Sequence, residues 1–205
     1  PSDARAERII RIQRTIALTQ SGKLHCELGE IAKGIAALER AVNCSAGIKS
    51  GPLPTEARLW HTVGLYRSGA LETARAQMLE VLPICEHLSM AYESFAALNV
   101  LASIETEASG GNIEKGKAYL RQMEEAARAT GQTHWIADAR LRLGLVSWKH
   151  DRDLLRAHRL FTECAADYAT IRQSTGQIES LLNACSVQVE LGEFAAARNV
   201  FTDLA

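Results

Sequence analysis

A repeat of about 41 residues runs through the 205-residue chain and constrains its fold more than any other feature of the sequence. Five marker residues are separated by 40, 42, 41 and 40 positions: Gly29, Gly69, Gly111, Arg152 and Gly192. After each marker the same pattern of apolar and small residues returns. A chain that repeats itself at such an interval builds similar units, each of which buries its apolar face on its neighbours.

Four columns of similar residues lie 2, 5, 9 and 12 positions after each marker. Steps of three and four residues return to one side of an α-helix, so the columns predict a helix that begins just after each marker. The small +5 residue lets two helix backbones approach closely. In column order the residues are Ile31, Leu71, Ile113, Leu154 and Phe194; Gly34, Ala74, Gly116, Ala157 and Ala197; Leu38, Met78, Leu120, Phe161 and Phe201; and Ala41, Val81, Met123, Cys164 and Leu204.

A second helical stretch precedes each marker, so each marker is the turn between two helices, where glycine supplies a positive φ at low cost. We refer to the two members of each pair as the first and the second helix. The pattern predicts first helices near 4–28, 55–68, 90–108, 133–150 and 176–191, and second helices near 31–46, 71–88, 113–130, 153–173 and 194–205. Predicted linkers are 47–54, 109–111, 130–132 and 174–176. We expect no strands.

The segment from Leu191 to Phe201 resembles the second half of a tetratricopeptide repeat (TPR), with Gly192, an acid, an aromatic, then Ala197 and another aromatic four residues later. Leu28-Gly29-Glu30-Ile31 is similar. The period exceeds the usual TPR length of about 34 residues and is similar to a longer variant found in bacterial regulators and signalling ATPases. The resemblance implies an all-α fold, a right-handed α-α superhelix of about five TPR-like helix pairs.

The same resemblance implies one domain over residues 1–205, which we expect to be a fragment of a longer chain. The predicted repeats fall near 1–50, 51–89, 90–131, 132–174 and 175–205. The final pair carries apolar residues and no polar capping helix, so an uncovered patch is expected to find a second surface. We therefore predict a homodimer through the C-terminal helices.

Composition and charge narrow the function classes. Hydrophobic residues make up 47% of the chain and charged residues 23%, which is typical of a folded protein. With a formal net charge of -1, the chain lacks the positive electrostatic field by which most nucleic-acid binders attract phosphates. We therefore predict no direct nucleic-acid partner. The five cysteines are scattered and form no C-x-x-C pair, which argues against disulfides and zinc and favours the cytoplasm. No apolar run is long enough to span a membrane.

The usual signatures of catalysis are absent from the sequence. It has no H-E-x-x-H, no G-x-S-x-G and no P-loop, and its six histidines stand singly on different predicted helices. Cys164 occupies the apolar +12 column, which predicts a core residue instead of a nucleophile. We therefore predict no catalytic residues, no metal and no cofactor.

In helix-pair repeats the first helices line the concave groove, and their polar stripes form the expected contact surface. For any one of these residues, an equally good interpretation is that it belongs to a solvent-exposed helix face with no binding role. The stripes contain Tyr66, Arg67, Asn99, Ser103, Asp138, Arg142, Lys149, Glu179, Asn183, Ser186 and Glu190.

The leading hypothesis is a non-catalytic protein-protein interaction module that binds a peptide or a helix in this groove. The alternative is a sensory or regulatory segment of a larger bacterial signalling protein, such as a transcription activator or a diguanylate cyclase, with its output domain outside this chain. An enzyme is the third hypothesis, and no constellation of residues supports it.

Overall fold

The structure is a computed structural model that describes residues 2–48 and 51–204, and the described residues form ten α-helices and no strand. The helices follow one another through short turns, as the repeat predicts. Their bounds are α1 Ser2–Glu27, α2 Ile31–Ser45, α3 Pro52–Arg67, α4 Leu71–His87, α5 Ala91–Glu107, α6 Ile113–Ala129, α7 Thr133–Lys149, α8 Leu154–Thr170, α9 Ser174–Glu190 and α10 Phe194–Leu204.

Burial confirms the register of the repeat. The five small residues of the +5 column are all buried, and the four described side chains of the +9 column are at most 1% exposed. Phe201 and Leu204, the last members of the +9 and +12 columns, have side chains outside the described residues. The +2 column is half-buried in four copies, whereas Phe194 is 66% exposed. The columns therefore mark the packed face of each described second helix.

The turns at the markers agree with the prediction in four of the five copies. Gly29, Gly69 and Gly192 have φ near +80°, and Arg152 adopts φ +55° although it carries a side chain. The third copy corrects the prediction, because Gly110 takes the positive φ of +87° and Gly111 does not. Gly110 and Gly111 are equivalent by sequence, and only the geometry of the helix end selects between them.

The predicted linker at 174–176 is wrong, because these residues form the first turn of α9. The turn lies one step earlier, around Arg172, whose φ is +57°. Gly176 is buried because the Tyr168 ring packs directly on its backbone: a Cβ at this position would lie 2.7 Å from the ring. The glycine serves close packing here and not a turn.

The chain divides into two compact units, residues 1–104 and 105–205, which we describe separately. In the first unit, α1 and α2 touch closely because both carry glycine, and a Cβ on Gly34 would lie 2.4 Å from the Cys26 Sγ. In the second unit, α8 packs against α9 through a core of Ala157, Phe161, Ala184 and Val187. The prediction of a single domain with the repeat boundaries given above stays a prediction.

Candidate functional site

The first helices of the second unit carry two adjoining clefts. The smaller one, of about 100 Å³, lies between the end of α5 and the C-terminal half of α7, and we call it the α5–α7 cleft. Arg142 and Leu145 line it from the middle of α7. The remaining lining residues are Thr106, Glu107, Val146, Lys149 and His150.

The larger cleft, of about 410 Å³, lies between α7 and the start of α9, and we call it the α7–α9 cleft. Arg142 and Leu145 line this cleft as well, so the two form one continuous surface. We refer to both together as the first-helix face. The other residues of the α7–α9 cleft are Asp138, Leu141, Tyr168, Gln173, Thr175, Gly176 and Glu179.

Hydrogen bonds hold the acidic end of the α7–α9 cleft in place. Asp138 accepts a hydrogen bond from the hydroxyl of Tyr168, and its second oxygen lies 3.5 Å from the His134 Nε2. The other ring nitrogen of His134 is 3.0 Å from the Gln173 Oε1. Burial, followed by the bond to Asp138, raises the pKa of Tyr168 far above its usual value. The phenol therefore remains a donor, and its bond to the carboxylate holds Asp138 at the cleft wall.

Four of the predicted site residues lie on this surface. Asp138, Arg142 and Lys149 are on α7, and Glu179 is on α9. The guanidinium of the half-buried Arg142 is 3.4 Å from the carboxylate of Glu107, whose side chain is mostly exposed. Lys149 and Glu179 are exposed, and neither makes a hydrogen bond or ion pair within the described residues. These two charges are therefore available to a ligand.

The remaining predicted residues of α9 lie outside the clefts. Asn183 is half-buried, and the exposed Ser186 donates to the backbone of its own helix. Glu190 accepts a bond of 2.8 Å from the Trp148 Nε1 and lies 3.3 Å from an Arg152 nitrogen. Glu190 therefore has a structural role that ties α9 to the end of α7.

In the first unit the predicted residues are less favourably placed. Tyr66 is half-buried, and Arg67 donates to the Cys26 carbonyl across 3.1 Å, beside a void of about 10 Å³. The side-chain amide oxygen of Asn99 (Oδ1) is buried and has no hydrogen-bond partner among the described residues. Ser103 is only 2% exposed, so its side chain cannot contact a partner and we do not retain it.

Several residues of the first-helix face were missed by the sequence analysis. Leu145 could have been identified from the sequence, because it lies three residues after Arg142 and so on the same side of the helix. Glu107 forms the end of α5, and Gln173 belongs to a turn outside the first helices. No periodic signal points to either of these two, because their place in the clefts depends on how neighbouring helices pack.

The cysteine chemistry agrees with a structural role for Cys164. Its thiol is buried and donates to the Ala137 carbonyl across 3.1 Å. Burial raises the pKa of this thiol to about 12, so the reactive thiolate is disfavoured. Over residues 2–48 and 51–204, no group of three His, Cys, Asp or Glu side chains is arranged to hold a metal ion. No helix within those ranges is long and apolar enough to cross a bilayer.

Comparisons with known proteins identify the fold. No protein-family model matches the chain, and no curated protein does. A solved Rap protein complexed with Competence and Sporulation Factor is similar, with a TM-score of 0.78 and 14% identity over 93% of this chain. This chain spans 52% of that Rap protein.

Two further solved structures carry tetratricopeptide repeats by description. One is a kinesin light chain of nearly identical TPR-like repeats from Podosopora anserina, with a TM-score of 0.67 and 14% identity over 94% of this chain and 93% of the other. The second is a signal transduction ATPase with a tetratricopeptide repeat sensor from Pyrococcus horikoshii, with a TM-score of 0.70 and 15% identity over 87% of this chain and 28% of the other. The all-helical architecture, the buried repeat columns and these likenesses together give the chain a tetratricopeptide-like fold.

Proposed function

We propose that this chain is a non-catalytic protein-protein interaction module that binds a polypeptide segment on its first-helix face. One observation carries the proposal: α7, α9 and the end of α5 line two joined clefts with both charged and apolar side chains. Peptide sites commonly combine apolar contacts with a few oriented polar groups. The likeness to a Rap protein complexed with another factor supports the same conclusion.

The module acts by offering a surface that exists before the ligand arrives. Tyr168 and His134 already hold Asp138 in place, and Leu141 and Leu145 form part of the apolar floor. A surface of this kind loses little conformational entropy on binding, so affinity accumulates from many modest contacts. In this account the protein positions the bound peptide and removes water from its contact surface, and no chemical step takes place.

The experiment is a selection of random 16-residue peptides displayed against the purified chain, followed by binding measurements on a selected peptide. Arg142→Glu is expected to weaken binding by about tenfold or more, because it places a second acid beside Glu107 in the middle of the surface. Arg159→Glu is the matched control, since Arg159 is exposed on the second helix α8, away from both clefts. If both variants bind alike, or if no peptide is selected, the proposal fails.

The alternative function is a regulatory segment of a larger bacterial signalling protein, and one likeness favours it. The tetratricopeptide sensor of the signal transduction ATPase is part of a chain of which this one covers only 28%. In that case the first-helix face is the input site for a signal. The alternative predicts an output domain in the same reading frame, so the coding sequence that flanks this segment tests it.

We also propose the cytoplasm as the site of action.

We further predict that the chain forms a homodimer through its C-terminal helices, α9 and α10. Ile178, Leu182 and Val189 recur on one exposed side of α9, and Phe194 of α10 is exposed as well. Apolar side chains in such a row commonly mark a contact surface. Sedimentation velocity of the chain is expected to show a dimer that Leu182→Glu converts to a monomer. A wild-type chain that stays monomeric at high concentration would contradict this prediction.

A further inference from the structure

The two ends of the first-helix face carry opposite charge. At the α7–α9 end the side chains of Asp138 and Glu179 supply two carboxylates. At the α5–α7 end Lys149 supplies an ammonium group, and the Glu107 carboxylate there lies 3.4 Å from Arg142, which stands between the two ends. Asp138 and Lys149 are 11 residues apart on one helix, which is about 16 Å at 1.5 Å per residue.

The carboxylates at the acidic end retain the capacity to bind a cation. Glu179 is exposed and makes no hydrogen bond or ion pair in the described part of the chain. Asp138 receives one bond from Tyr168 and a long contact from His134, although two carboxylate oxygens accept about four hydrogen bonds. A positively charged side chain that enters beside the two acids would fill the remaining acceptor positions, while the Tyr168 hydroxyl keeps its bond to Asp138.

The basic end is equally open. Lys149 is exposed and has no hydrogen bond or ion pair in the part of the chain that the structure describes. Arg142 pairs with Glu107 at 3.4 Å, but Glu107 is mostly exposed, and exposed pairs of this kind contribute only about 0–1 kcal/mol. Lys149 is therefore the group that an acidic side chain of a ligand meets at this end.

We propose that the first-helix face selects an extended peptide segment that carries a Lys or Arg side chain and, about five residues away, an Asp or Glu side chain. The basic side chain enters the α7–α9 cleft between Asp138 and Glu179, and the acidic one meets Lys149. The spacing follows from the 16 Å separation, because an extended chain advances roughly 3.3 Å per residue. This inference rests on the proposed function and adds the chemistry of the ligand.

The clefts favour an extended ligand over a helical one. Their volumes of about 100 and 410 Å³ suit side chains, and a helix with its side chains is about 10 Å across. A helical ligand would also need its two charges about 11 residues apart to span the same distance. The spacing of charges in bound peptides therefore distinguishes the two kinds of ligand.

The test uses the full chain and the random 16-residue peptide library described above. Selected peptides are expected to share a basic and an acidic residue about five positions apart. Glu179→Lys and Lys149→Glu are each expected to weaken a selected peptide by about tenfold, and Lys149→Glu is expected to regain binding when the acidic residue of the peptide is replaced by Lys. Glu125→Lys and Arg159→Glu are the matched controls, because both residues are exposed on second helices and remote from the clefts.

The outcomes separate this inference from the proposed function. Peptides that lack the charge pair, yet lose binding in Arg142→Glu, would overturn the charge pattern and leave the interaction surface standing. A charge pair spaced by about 11 residues would overturn the extended ligand. Peptides whose affinity survives both charge reversals would likewise overturn the inference. A library that yields no binder at all would overturn the inference and the proposed function together.

Discussion

Ala157→Glu is expected to lower the free energy of unfolding by about 3–5 kcal/mol, the range reached when an unpaired charge is buried. Ala157 has no exposed surface and lies in the core that joins α8 to α9. Its neighbours there are Phe161, Ala184 and Val187, none of which can donate a side-chain hydrogen bond to a carboxylate. The substitution therefore forces the helices apart or leaves the charge without a partner.

The matched control is Ala166→Glu in the same helix, where Ala166 is exposed. This change preserves the chemistry of the substitution and is expected to shift stability by no more than about 0.5 kcal/mol. Urea unfolding followed by circular dichroism measures both. Equal midpoints for the two variants would mean that the +5 column does not face the neighbouring helix, and the register of the repeat would then be wrong.

Arg140→Met is expected to cost about 2–3 kcal/mol at neutral pH, because it leaves partly buried carboxylates without their cation. Arg140 is 13% exposed and joins three helices of the second unit. Its Nε lies 3.1 Å from Glu124 of α6, and one terminal nitrogen lies 2.5 Å from Asp167 of α8. Glu163 is 3.6 Å away. Met retains most of the length of the side chain, so the loss reports on charge.

The pH dependence of this variant has a defined sign. Burial raises the pKa of Asp167, and Arg140 opposes that rise. Without Arg140, the pKa of Asp167 in the folded state moves further above its pKa in the unfolded chain. A raised folded-state pKa stabilises the fold fully at a pH below the unfolded pKa, where the acid is protonated. This stabilisation is lost as the pH rises through the folded-state pKa. The deficit of Arg140→Met is therefore expected to be small near pH 4 and largest near pH 7.

Arg121→Met provides the control, since Arg121 is exposed on α6. Removal of an exposed charge is expected to change stability by no more than about 0.5 kcal/mol at any pH in this range. A deficit of Arg140→Met that is equally large at pH 4 and pH 7 would show that lost packing, and not the charge network, accounts for it.

The helices were predictable from the sequence because one period governs both the turns and the buried columns. Leu38, Met78 and Leu120 occupy equivalent positions and are equally buried, so each copy reinforces the others. The errors lie where a residue has two possible uses. Gly176 reads as a linker by composition, but the Tyr168 ring needs a glycine beneath it. Pairwise packing of this kind has no periodic signature.

The candidate site was predictable in its face but not in its details. Helical spacing was sufficient to place Asp138, Arg142 and Lys149 on one side of α7. The same reasoning admitted Ser103, which the structure buries, because periodicity does not show what covers a face. Glu107 was missed for the converse reason: its role depends on the approach of α7 to the end of α5.

The measurement that tests the central claim most directly is amide chemical-shift mapping of the chain with a selected 16-residue peptide. Binding on the first-helix face predicts shift changes that concentrate in α7, in the start of α9, in the end of α5 and around Tyr168, with little change along the rest of α8. Changes confined to α8 and α10, or no change at peptide concentrations that saturate binding, would contradict the claim that the first helices of this repeat form the interaction surface.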